Sequence, residues 1–86
     1  MDFKNDFNNL VSNIDALKQL FKNKYIGKRI TINWNNGLIE NGTIQSVHFE
    51  NEVFDKNIIK VTMDNDSVPT VIPLDILFGT TYEIFE

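Results

Sequence analysis

Residues 28–49 read KRITINWNNGLIENGTIQSVHF, and this stretch decides the fold. Ile30, Ile32 and Trp34 alternate with Arg29, Thr31 and Asn33, the period-2 pattern of a strand with one face buried. Asn35-Asn36-Gly37 follows with the residue types that tolerate the positive φ of a tight hairpin turn. A second strand then runs from Leu38 past Gly42 to Ile44, Val47 and Phe49. A glycine inside a strand pattern marks a bend or bulge. Ile44 and Val47 differ in parity, so the strand must shift faces between them, which again requires a bulge. Short, sharply bent strands are what a small barrel needs.

Working toward the N-terminus, the period lengthens. Phe3, Phe7, Leu10, Ile14, Leu17 and Phe21 recur every three or four residues and share one stripe of a helix. Val11 and Leu20 widen that stripe. Asp2 and Asp6 near its start and Lys18 and Lys22 near its end suit the helix dipole, and Asn23 suits its close. The pattern predicts one helix over residues 3–22, folded against the barrel. Its heptad-like spacing also suits a seam with a second copy of the chain, making a homo-oligomer a candidate assembly.

Toward the C-terminus, residues 50–57 read as a polar loop, Ile58 to Met63 as a third strand, and Asp64 to Ser67 as its turn. Val68 to Pro73 forms a fourth strand whose two prolines, Pro69 and Pro73, must face an edge or end the strand, because proline lacks the ladder N–H. Leu74 to Leu77 reads as one helical turn and Thr80 to Phe85 as the closing strand. The expectation is a mostly β member of the α+β class. It is one domain over residues 1–86, with an N-terminal amphipathic helix within 1–24 and a five-stranded, strongly bent antiparallel small barrel over 28–86.

Composition limits what such a domain does. The chain has 86 residues, 42% of them hydrophobic, and no cysteine, so neither a disulfide framework nor a thiolate metal site supports its thin core. No apolar run reaches the ~18 residues of a membrane span, and the polar start excludes a secretory signal, so a cytoplasmic protein without membrane contact is expected. Twelve asparagines suggest an AT-rich coding source such as a low-GC bacterium or a phage. The net charge of −4 is uneven: residues 1–29 carry six basic and three acidic groups, whereas residues 30–86 carry two basic and nine acidic. An acidic barrel repels phosphate backbones, so any nucleic-acid contact falls to Lys18 to Arg29.

Residues 28–49 resemble the first motif of Sm-like proteins, with Gly37, Gly42, Ile44 and Val47 at its turn, bend and apolar positions. Residues 67–79, SVPTVIPLDILFG, resemble the last two strands of such barrels. The spacing from Gly42 to Val47, followed by Ile72-Pro73-Leu74-Asp75-Ile76, is also similar to the YolD-like family of small bacterial and phage proteins associated with translesion polymerases. These resemblances imply an SH3-like or Sm-like barrel. They do not carry over Sm-type RNA contacts, since His48 stands where Sm proteins place an acidic residue and Leu74 and Asp75 where they place a basic one.

No catalytic constellation emerges. His48 is the single histidine, with no cysteine or second histidine to join it, and no serine lies in a nucleophile-elbow context. Asp64 and Asp66 lack the further oxygen ligands of a calcium loop and read as turn residues. The expectation is a non-enzyme without metal or cofactor, an adaptor or inhibitor binding another protein through Trp34, Asn36, Glu50, Glu52, Phe54 and Asp55. Within that set, the acidic loop reads either as a solubilising edge or as a surface that imitates nucleic acid. The alternative is a nucleic-acid-binding barrel using Lys24, Tyr25, Lys28 and Arg29, in which Tyr25 stacks on a base and the cations meet phosphate.

Overall fold

The computed structural model describes residues 3–10, 13–48 and 56–85, with the side chains of Leu10 and Ile14 also outside the description. Two helices, α1 (Phe3–Leu10) and α2 (Ile14–Lys24), precede strands β1 (Arg29–Asn33), β2 (Ile39–His48), β3 (Ile58–Met63) and β4 (Thr70–Pro73). A short helix, α3 (Leu74–Phe78), then leads into β5 (Thr81–Phe85).

The single N-terminal helix expected from the stripe is two helices. Asn13 caps α2: its side-chain oxygen accepts from the Ala16 N–H at 3.2 Å, and its carbonyl accepts from Leu17 N–H at 3.0 Å. The break has a packing reason. Phe3 and Phe21 stack with ring centroids 4.8 Å apart. In one continuous helix these residues, eighteen positions apart, would be separated by about 27 Å. Folding α1 back along α2 brings both ends of the stripe to one place. Phe3 also meets Tyr25 at 4.9 Å, Phe78 at 5.8 Å and Tyr82 at 6.3 Å, which ties the helical hairpin to α3 and β5.

The strands form one antiparallel sheet in the order β4-β3-β2-β1-β5. Along β1, Ile30 and Ile32 are buried, as the alternation predicts. Their partners across the ladders, Gly42 and Glu40 on β2 and Ile84 and Tyr82 on β5, share that face. The register of β2 against β3 slips between Ile44 and Ser46, leaving Gln45 as the extra residue of the expected bulge. Gly42 is buried, and a Cβ there would lie 2.7 Å from the Thr62 carbonyl oxygen and 2.7 Å from a Val61 methyl. Glycine is thus required by the close approach of β3.

β4 is an edge strand; Pro69 precedes it and Pro73 is its last residue, so both prolines stand at its ends. The sheet does not close into a hydrogen-bonded barrel: β4 and β5 are its two edges, and no ladder joins them among the described residues. Pro73 passes directly into α3, whose Leu74 and Leu77 bury themselves in the core between those edges. The core is a single apolar cluster of the helical hairpin, the concave sheet face and α3.

Candidate interaction groove

The β1–β2 hairpin is closed by Trp34 N–H donating to the Leu38 carbonyl at 2.8 Å and Gly37 N–H donating to the Trp34 carbonyl at 3.0 Å. Gly37 takes φ +89°, the left-handed conformation expected of it. The Asn36 side-chain oxygen accepts from Leu38 N–H at 3.0 Å, so Asn36 shapes the turn. This geometry places Trp34 on the core-facing side of the sheet. It is half-buried, packs against the core, and donates its indole N–H to Glu40 Oε1 at 2.8 Å. The indole therefore offers an apolar surface with its one polar group already satisfied.

Across from it stands α3. Trp34, Asn36, Leu38, Glu40, Ile76 and Thr80 border a groove of about 540 Å³ between hairpin and α3. Leu38 and Ile76 are each 52% exposed, and Ile39 beside them is 61% exposed. These are large apolar side chains left exposed at the hairpin tip and on the short helix. A second hollow of about 340 Å³ lies on the other flank of the hairpin, between Ile39 and Met63, and carries Asp64 and Asp66. Leu38 and Glu40 border both hollows.

Of the residues expected to bind a partner, Trp34 and Asn36 border this groove. Glu50, Glu52, Phe54 and Asp55 lie outside the described residues. Ile76 and Leu38 were not legible as site residues. Ile76 lies in the mostly apolar stretch Leu74 to Phe78, whose Leu74 and Leu77 are buried, and only its exposed position on α3 places it at the groove.

The residues considered for nucleic acid are arranged differently. Tyr25 is fully buried and its hydroxyl donates to Asp6, which corrects its expected place as an exposed stacking platform. It lies in the aromatic cluster because α1 folds back over it. Lys24 donates to the same Asp6 carboxylate at 2.8 Å. Arg29 is bidentate to Asp64, both contacts at 2.6 Å, and also donates to Thr43 at 3.0 Å. Lys28 is half-buried beside the β2 backbone, its carbonyl accepting from Ile44 N–H at 2.9 Å. Lys24 and Arg29 are thus matched by carboxylates, which lowers the charge that a phosphate backbone would meet.

These pairs set the local titrations. Burial works to raise the Asp6 pKa, but hydrogen bonds from Lys24 and Tyr25 and the Lys24 charge outweigh it and hold the carboxyl below its usual value. The Arg29 hydrogen bonds lower the Asp64 pKa, and the same bonds raise that of Arg29. His48 Nε2 lies 3.0 Å from Ser46 Oγ, two residues away on the same strand beside the bulge. Among the described residues no three His, Cys, Asp or Glu side chains gather as a metal site. No described helix is long and apolar enough to cross a membrane.

The chain matches no protein-family model, no curated protein and no solved structure.

Proposed function

We propose that this chain is a non-enzymatic protein-interaction module, an adaptor or inhibitor that acts through the surface at its hairpin tip. The observation that carries this reading is the Trp34 groove, where a half-buried indole with a satisfied N–H is flanked by exposed Leu38 and Ile76. Partly exposed aromatic anchors beside apolar side chains are the composition of interface hot spots. We read the sheet as a strongly bent relative of the SH3-like and Sm-like small barrels. Its five short strands, the bulge at Gln45 and the helical turn ahead of the last strand support that reading.

The test is a pull-down from host lysate with the wild-type chain and with a Leu38→Ser/Ile76→Ser variant, each repeated after nuclease treatment. A protein partner retained at fixed stoichiometry after nuclease, and lost with the variant, is the expected result. Recovery of nucleic acid alone, or turnover of a small substrate by the purified chain, would refute the reading.

A further inference from the structure

The two hollows that flank the hairpin tip differ in charge from two others among the described residues. Glu40 and Asp75 border the Trp34 groove, and Glu40, Asp64 and Asp66 border its neighbour. Neither hollow has a lysine or arginine among its bordering residues. Two other hollows among the described residues do: Lys56 borders one, Lys18 and Lys22 the other. Arg29 answers Asp64, and Asp75 also borders a further hollow that Lys56 lines, so Glu40 and Asp66 are the tip carboxylates that share no hollow with a cation. Between these acids project the apolar side chains of Leu38, Ile39 and Ile76. The tip is therefore an apolar ridge with a hollow on each flank and an acidic border around both.

Resting on the interaction reading above, the geometry points to one class of occupant: a protein segment with apolar anchors interleaved with lysine or arginine. Its apolar side chains lie against Trp34, Leu38 and Ile76. The indole N–H is held by Glu40, so the groove asks for no hydrogen-bond acceptor from the ligand. The stems of the basic side chains lie along Leu38 and Ile39 while their heads reach Asp66 and Asp75. A cation can also sit over the indole face, the most favourable aromatic surface for it. An acidic segment or a phosphate backbone meets only repulsion there.

Trp34 is the only tryptophan of the chain, so its emission reports occupancy of the groove directly. The probe is a synthetic twelve-residue peptide of leucine and lysine, titrated alongside three analogues: lysine replaced by glutamine, lysine replaced by glutamate, and leucine replaced by serine. The leucine–lysine peptide should shift the emission saturably at one peptide per chain, and the three analogues should not. Affinity should fall several-fold between ~50 and ~500 mM salt, since these charges are exposed and screened. Asp66→Asn and Asp75→Asn should each weaken binding by about threefold, as expected for single exposed charge pairs. Equal binding of the glutamine or serine analogue, or no response to the two charge substitutions, would overturn the inference. The lysate experiment separates the two failures. A partner captured through Leu38 and Ile76 whose retention ignores salt leaves the interaction reading standing and sinks the basic-segment assignment. Loss of no partner on Leu38→Ser/Ile76→Ser sinks both.

Discussion

Substituting Gly42 by alanine tests whether the curvature of the sheet depends on the contact of β2 with β3. The added methyl would stand 2.7 Å from the Thr62 carbonyl oxygen, 2.7 Å from Val61 Cγ1 and 3.1 Å from Met63 Sδ. Carbon contacts are comfortable at about 3.5–4.0 Å, so the first two are short by roughly 1 Å. Met63 can swing away, but the Thr62 oxygen belongs to the backbone of β3, the strand paired with Gly42. Overpacking a fixed site costs roughly 1–3 kcal/mol, and the upper half of that range applies when backbone must move. Alanine recovers about 0.4–1 kcal/mol by restricting the unfolded chain. The net expectation is a loss of about 2 kcal/mol, or a Tm lowered by roughly 8–16 °C for a domain of this size. Urea and thermal unfolding followed by circular dichroism measure it. Gly79→Ala is the control, because its methyl would find nothing nearer than the Ile76 carbonyl oxygen at 3.4 Å, an ordinary contact. A Gly42→Ala variant within 0.5 kcal/mol of wild type would refute the steric argument, as would one indistinguishable from Gly79→Ala.

Three further outcomes are expected. Phe3→Ala removes the ring that stacks on Phe21 and meets Tyr25, Phe78 and Tyr82, and should cost about 3–5 kcal/mol in urea unfolding. Asn13→Ala deletes the cap of α2 and should cost about 1 kcal/mol, with a small loss of helical ellipticity. The folded-state pKa of Asp6 lies below its unfolded value of 3.8, so its contribution to stability is present above that value and disappears as pH falls through the folded pKa. Unfolding midpoints of wild type and Asp6→Asn should therefore differ at pH 6 and converge as pH falls through the folded pKa, and a gap that stays constant with pH would contradict the pairing with Lys24 and Tyr25.

Much of this molecule was legible along the chain because its signals are local. Alternation at Ile30 and Ile32 announced β1, Asn36-Gly37 announced the hairpin, and the parity shift between Ile44 and Val47 announced the bulge seen at Gln45. Pro69 and Pro73 announced an edge or the ends of a strand, and β4 has them at its ends. Each feature is dictated by the periodicity, φ or hydrogen-bonding capacity of a few neighbouring residues. The break at Asn13 had a signal too, a strong capping residue with Asp15 in the following turn, but the uninterrupted 3–4 stripe outweighed it. A stripe shows which side chains share a face and is silent on whether that face is one straight line or two lines folded together.

The tertiary structure alone decided the rest. Tyr25 sits beside Lys24, Lys28 and Arg29 in sequence, yet the return of α1 buries its ring and turns its hydroxyl to Asp6. Arg29 finds Asp64 thirty-five residues away, because β3 ends beside β1 across β2. Ile76 reads as core and stands at a groove. Such pairings depend on which distant elements meet, which is set by how the apolar stripes of the whole chain are buried together, and no local pattern encodes that.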